Sequence, residues 1–441
     1  MITIYDDAAS ARRTLLRRRA MEETALPSHV QARLDALFGP GTTAAQAVQR
    51  ILDDVRARGD AALREYTERI DGVGLDDPAV PAAALQNAFL ALDTHLRLAL
   101  DTAASRLRAF HEREHHTSWL HWEEEGALGQ MVRPLERVGL YVPGGSAAYP
   151  SSVLHTAIPA RVAGVSEIIV ATPPGRDGSI PPVILGACHA AGVDRVYRMG
   201  GAQAIAALAY GTASIPRVDK ILGPGNIFVA LAKRAVAGTV GIDQIAGPTE
   251  TVIVADEGAD PALLAADLLA QAEHDPMASA ILLTPSRHLA RRVAAEVSAQ
   301  LTGISRHDIA AQSLAANGGI VIARDVAECL DLANEYAPEH LCLAVRDPWV
   351  WLSQVRNAGG VFLGDTMSEA LGDYAAGPSH VMPTGGTARF ASPLHVGDFL
   401  KITSIFGLGK TDVARLTEPA AALARAEGLT AHAAAMEKRI N

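Results

Sequence analysis

Cysteine is scarce in this chain. Three occur in 441 residues, Cys188, Cys329 and Cys342. They lack CxxC spacing and sit in apolar segments, which excludes a disulfide framework and a cysteine-rich metal site and fits buried thiols in a reducing compartment. Long hydrophobic runs are also missing. No stretch of about eighteen apolar residues is present, so no membrane-spanning helix is expected. Basic residues do not dominate either: the formal charge of -10 gives no global invitation to nucleic acid or anionic membrane. The opening "MITIYDDAASARRTLLRRRAMEE" carries acidic residues early and no apolar core, so a secretory signal is not expected and a cytoplasmic protein is. Finally, neither GxGxxG nor GxxxxGK[ST] occurs, so no nucleotide site can be read from a glycine fingerprint.

What is present is core material. The chain is 49% hydrophobic and 20% charged, and its length exceeds the usual size of one core, which predicts two or more domains. Residues 1 to about 135 read as mostly helical, as in "TAAQAVQRILDDVRARGDAALREYTERI". From about 136 short β-rich runs alternate with alanine-rich helical ones, the βα rhythm of a parallel sheet. One block contains "RVGLYVPGG", "SEIIVATPP" and "DKILGPGNIFVALAKRA". A second begins with "TVIVAD" near 251 and runs to "GGVFLG", and the Gly/Pro-punctuated "GTVGIDQIAGPTE" crosses between them. The tail from about 394 has one β-like run, "FLKITSIFG", and two helices too small to stand alone. Those helices must dock on their own chain or on a second subunit.

Four stretches carry chemistry. "DLLAQAEHDP" closes a predicted helix 260–274 with Gln271 and His274 on one face, and Asp267 one turn earlier. Imidazole is a good zinc ligand and an amide oxygen a less usual one; a polar helix end stopped by Pro276 accounts for the residues equally well. "NEYAPEHLCL" sets Glu339 beside His340 after Pro338, a carboxylate and an imidazole able to share acid–base work or simply to cap a helix. The pair precedes a strand, whereas ligands of doubly wound folds gather at strand carboxyl ends. "ALGDYAAGPSHVMPTGGTARF" is a long irregular stretch holding Asp373 and His380 among apolar residues, a pattern of functional loops. "EGLTAHAAAMEKR" places Glu427 and His432 around a helix start. The glycine turns "YVPGG", "RMGGAQ" and "GPGNIF" support an anionic ligand at most.

Taken together, "VGIDQIAGPTE", "LLAQAEHDP", "APEHL", "GDYAAGPSHVMPT" with "GTARF", and "EGLTAHA" resemble the histidinol dehydrogenase family in order and separation, from about residue 30 to the last helix. The resemblance implies an α/β fold of two incomplete Rossmann-like domains with parallel-rich sheets. It also implies a small N-terminal helical segment (1–28) and a C-terminal dimerisation segment (394–441) in an intertwined dimer. Residues 141–249 would form the NAD-binding domain, and 29–140 with 250–393 a discontinuous zinc and catalytic domain. The implied zinc ligands, for one ion per subunit, are Gln271, His274, Asp373 and His432, the last from the other subunit of a homodimer, so Asp267 yields as a rival. The implied catalytic pair is Glu339, which activates water, and His340, the general base. Thr249, His380 and Glu427 fall on substrate-contact positions together with the zinc ligands and Glu339. Tyr141, Gln203 and Asn226 fall on positions that address NAD.

The implied reaction is the four-electron oxidation of L-histidinol to L-histidine through bound L-histidinaldehyde, reducing two NAD. A rival within the same architecture is a dehydrogenase of another small polyol or a sulfonated diol. Glu427, able to receive an imidazole N–H, favours histidinol; a sulfonate site should offer Arg or Lys. One departure from the family pattern stands after "SPL", where His395 and Ile402 occupy unusual positions, and a structural role is expected for His395.

Overall fold

In the computed structural model of the chain, residues 2–18, 26, 28–123, 125–144 and 148–440 are described. Two parallel sheets organise them. The first has strands Arg137–Tyr141, Glu167–Thr172, Arg195–Arg198, Lys220–Leu222 and Gly241–Ile242. Numbered in chain order, they lie side by side as 3-2-1-4-5, and every neighbouring pair is parallel. The second repeats that order with Glu250–Ala255, Ser279–Thr284, Gly319–Ile322, His340–Ala344 and Gly360–Leu363, and adds Ile4–Tyr5 parallel to its edge. This is the strand order of a Rossmann-like sheet short of its sixth strand. The fold is α/β, with two incomplete Rossmann-like units.

The central residues of most strands are apolar because helices cover both faces of each sheet. Alternate residues feed alternate cores. In the second sheet Ile253, Leu282 and Ile320 join one cluster, while Val252, Val254, Ile281 and Val321 join the other. Local signals start several helices. Asp260 caps Pro261–Ala272 by accepting the Ala262 N–H at 2.8 Å, and Thr43 with Gln46 forms a reciprocal capping box at Ala44–Arg58.

Where the pattern predicts helix through about residue 135, the structure has two strands, Trp119–Glu123 and Gly126–Pro134. They form a three-stranded antiparallel sheet with Leu400–Gly407 from the tail. The first of these strands is exposed on both faces, so it carries no apolar alternation to betray it. Helices Ala44–Arg58, Asp60–Tyr66, Ala82–Ala91 and Thr94–His111 pack against the helices of the first sheet, whereas the family resemblance groups 29–140 with the second. Residues 8–13 form a helix beside the second sheet. The tail ends in an antiparallel pair, Lys410–Ala426 and Thr430–Glu437, which share a core of only Ala421, Ala424 and Ala433 with Met436 against it. Leu416, Leu423 and Leu429 remain exposed on that hairpin. None of the helices among the described residues is long and apolar enough to cross a membrane.

At the carboxyl end of the first sheet's fourth strand, a buried ion pair fixes the "GPGN" turn. Lys233, 2% exposed, donates to the Gly223 carbonyl at 3.0 Å and to Asp243, whose other oxygen accepts the Gly223 N–H at 2.7 Å. Gly223 has φ +107°, and a Cβ there would lie 2.3 Å from the Tyr141 carbonyl oxygen, so no other residue fits. Removing one partner of such a pair strands a buried charge. Lys233→Met is expected to cost about 3–5 kcal/mol in chemical denaturation. Adding Asp243→Asn should return about 1–3 kcal/mol of that loss.

Candidate active site

Strand Glu250–Ala255 and strand His340–Ala344 lie side by side, with His340 paired to Thr251. The residues singled out by sequence gather at the amino ends of these strands, not at the carboxyl ends where a doubly wound sheet usually binds ligands. Helix Pro261–Ala272 runs back to the same edge and delivers Gln271. The helix stops two residues short of the predicted 274. Its cap Glu273 keeps αR geometry, and the His274 N–H still reaches the Gln271 carbonyl at 3.3 Å, so His274 follows within the same turn.

A chain of hydrogen bonds links the parts. Gln271, 1% exposed, donates its amide to the Thr249 hydroxyl at 3.0 Å, and that hydroxyl donates to Glu339 Oε2 at 2.5 Å. Glu339 Oε2 also accepts the Glu250 N–H at 3.0 Å. With its amide nitrogen engaged by Thr249, Gln271 is left with a buried Oε1 that has no hydrogen-bond partner. His340 is in the same position. Its Nδ1 lies 3.2 Å from the Glu250 carbonyl oxygen, a contact that requires Nδ1–H, so in the neutral ring Nε2 is the nitrogen with the lone pair. Nε2 is buried without a hydrogen-bond partner, 3.8 Å from Asp373 Oδ1.

Three carboxyl groups surround this imidazole: Glu369 at 3.4 Å, Glu339 at 3.8 Å and Asp373 at 3.8 Å. Burial pushes Glu339 up to about 7, against the pull of His340 and the Thr249 hydrogen bond. Burial, reinforced by Asp373, holds Glu369 well above the carboxylate range. Desolvation lowers His274, with Asp373 opposing it. His380 donates from Nδ1 to the Asp373 carbonyl at 2.9 Å, and its ring stacks 4.0 Å from His155. Burial lowers the pKa of both histidines. The rival Asp267 is raised to about 6 by burial and meets Ser368 at 3.5 Å.

Gln271, His274, Thr249, Glu339, His340, Asp373 and His380 are thus brought into one neighbourhood. Glu427 and His432 are not. Both are exposed on the terminal hairpin, whose second helix packs chiefly on the first. Within one chain no group of three or more His, Cys, Asp and Glu side chains is arranged for a metal among the described residues. The donor set that is present, an orphaned amide oxygen with an imidazole and a carboxylate nearby, suits a borderline divalent cation such as zinc and lacks a fourth ligand.

The NAD candidates lie in the first unit, near the crevice between its first and fourth strands. The Tyr141 hydroxyl accepts the Gly201 N–H at 3.1 Å, and the Gln203 amide donates to Asp71 at 3.2 Å while its Oε1 is buried and unpartnered. The Asn226 side-chain oxygen caps helix Ile227–Val236 by accepting Phe228 and Val229 N–H groups. Only its amide nitrogen is therefore free to address a ligand. Pattern reading missed Glu250, Thr251, Glu369 and Arg18. The four-residue spacing of Glu369 and Asp373 in "EALGD" was the available signal for Glu369. His395 stands at the N-cap of the short turn Val396–Phe399.

Two Rossmann-like units, one of them carrying a buried imidazole among carboxyl groups, place the chain among α/β proteins with an acid–base site. The histidinol dehydrogenase family model matches residues 40–440. A histidinol dehydrogenase of Deinococcus radiodurans is 54% identical over 96% of this chain and 97% of its own length. One from Thermus thermophilus is 53% identical over 92% and 97%. The crystal structure of histidinol dehydrogenase from Elizabethkingia anophelis superposes with a TM-score of 0.90 at 33% identity, covering 100% of this chain and 98% of that one. The chain belongs to the histidinol dehydrogenase family.

Because the folded Glu339 carboxyl titrates near 7 and an unfolded one near 4.5, the unfolded chain ionises first as pH rises. The group therefore costs stability progressively between those values and fully above the higher. Glu339→Gln can keep both accepted hydrogen bonds without that cost. Its stability advantage over the parent, measured by denaturation in chelating buffer, should grow by about 2 kcal/mol from about pH 5 to about pH 8.

Proposed function

We propose that this protein oxidises L-histidinol to L-histidine in two consecutive steps, through an L-histidinaldehyde that stays bound, reducing two NAD. The reading is carried by the buried His340 Nε2, bare of partners while Nδ1 is tied to the Glu250 carbonyl, together with the unpartnered Gln271 Oε1. An imidazole held in that tautomer is a ready proton acceptor. His340 takes the hydroxyl proton of the alcohol, and takes one again from the hydrated aldehyde in the second oxidation. Glu339, titrating near neutrality, receives the proton of the water that adds to the aldehyde carbon. Thr249 keeps Glu339 and Gln271 in register through the two bonds its hydroxyl makes.

When bound, zinc held by Gln271, His274, Asp373 and His432 would orient the substrate's nitrogens, and NAD near Tyr141, Gln203 and Asn226 would accept a hydride at each oxidation. The active unit on this reading is a homodimer. Each protomer lends the other its terminal hairpin, so that His432 completes the metal shell and Glu427 receives the substrate's imidazole N–H. The exposed leucines of that hairpin and its three-alanine core support this exchange, because the pair cannot bury its apolar surface alone. The cation in the hydrogen-bonded network, Arg18, is committed to Glu250, which leaves it unsuited to an anionic sulfonate. Three buried, unpaired thiols suit a cytoplasmic setting.

The deciding assay follows NADH with purified protein on L-histidinol and on small diols. Two NADH per L-histidinol, and no comparable turnover of diols, is the expected outcome; one NADH per molecule would limit the reaction to the alcohol step. His340→Asn is expected to retain its zinc and lower kcat by about 10²–10⁴-fold. Unchanged turnover would remove His340 as the base.

A further inference from the structure

The catalytic pair is oriented by main chain, and that main chain is held by an arginine from the far end of the sequence. Glu250 offers both of its backbone groups to the pair. Its N–H donates to Glu339 Oε2 at 3.0 Å and its carbonyl accepts from His340 Nδ1 at 3.2 Å. The Glu250 side chain points elsewhere and is nearly buried, with 7% of it exposed. It forms a bidentate ion pair with Arg18, one arm of which is 2.9 Å long, and it also accepts the Gly385 N–H at 3.1 Å.

The same guanidinium holds the turn on the other side of the pair. Arg18 donates to the Tyr336 carbonyl at 2.6 and 3.0 Å and to the Ala337 carbonyl at 3.2 Å, and it lies 3.6 Å over the Tyr336 ring. Tyr336 ends helix Val326–Tyr336, where a cation also meets the negative end of the helix dipole. Ala337 has φ +52°, a left-handed conformation that a non-glycine residue keeps only where its surroundings enforce it. Two residues later come Glu339 and His340. One planar fork therefore joins the chain entering Glu339–His340 to the residue that hydrogen-bonds both of them.

We infer that Arg18 is a positioning residue for the reaction: it sets the spacing between the Glu250 backbone and the Glu339–His340 turn, and touches neither substrate nor cofactor. The inference rests on His340 and Glu339 being the catalytic pair. A lysine could neutralise Glu250 but could not also fork onto two carbonyls. Misplacement of a general base by about 1 Å can cost 10²-fold in rate.

The test uses full-length, zinc-loaded protein. Arg18→Ala should lower kcat about 10–100-fold while KM for L-histidinol and bound zinc stay within about threefold of the parent. Arg18→Lys should fall between the two. Added guanidinium ion should restore part of the kcat of Arg18→Ala, since the Arg18 side chain is 28% exposed and its vacated site would be open to solvent. Arg17→Ala, which removes an exposed charge from the same segment, should match the parent. If Arg18→Ala folds poorly because Glu250 is stranded, Arg18→Ala with Glu250→Gln removes that charge, and its kcat should still be at least about tenfold low. The inference is overturned by kcat within about twofold of the parent in a folded variant, by a rise in KM in place of a fall in kcat, or by failure of guanidinium to rescue. His340→Asn assayed alongside separates the two claims, because full activity there would sink the underlying reading and not the clamp alone.

Discussion

The first residue of strand Glu250–Ala255 does three things at once. Its N–H fixes a carboxylate, its carbonyl fixes an imidazole, and its side chain is pinned by Arg18. Parallel pairing of that strand with His340–Ala344 makes this possible, because it sets Thr251 directly beside His340. Backbone groups at a strand's amino end lack a full set of ladder partners, so they are free to hydrogen-bond side chains. The site spends that surplus on orientation. A one-residue slip of either strand would turn that strand's side chains toward the opposite face.

The second constraint is electrostatic. Glu339, Glu369 and Asp373 crowd one imidazole, and burial keeps the first two protonated to higher pH than free carboxyls. The orphaned Gln271 oxygen and the bare His340 nitrogen are likewise groups whose desolvation cost is uncompensated within one chain. Carboxyls in excess and unpartnered acceptors are the features that a bound metal and a bound substrate would balance. Stability is given up locally where those groups stay buried and unpaired.

The two parallel sheets share a strand order but gather their polar residues at opposite ends. In the first, the glycine turn Gly223–Asn226 and Tyr141 sit at carboxyl ends, where a Rossmann-like sheet binds nucleotides. In the second, the neighbourhood of Glu339 and His340 lies at the amino ends, reached by the crossing that runs from Asp243 to Thr249. That crossing is tethered to the loop beyond Asp373, since Gln244 donates to the Met382 carbonyl at 2.8 Å and Gly247 donates to Thr384 at 2.6 Å. A carboxyl edge and an amino edge are thereby joined through one loop.

The sequence by itself determined the α/β class, the two βα blocks, most helix starts and the family. Each depends on signals within a few residues: apolar runs, caps such as Asp260, and motifs such as "LLAQAEHDP". It also picked out Gln271, His274, Glu339, His340 and Asp373 by residue type. It did not reveal the strand Trp119–Glu123, whose two exposed faces leave no alternation, or the packing of residues 44–111 on the first sheet. Arg18 and Glu250 escaped as well, because residues 232 positions apart meet only after a sheet has formed between them. Which nitrogen of His340 is bare, and whether the Gln271 amide oxygen finds a partner, depends on hydrogen-bond partners supplied by other elements. Only tertiary structure decides those, since a side chain's protonation and direction follow from what surrounds it in space.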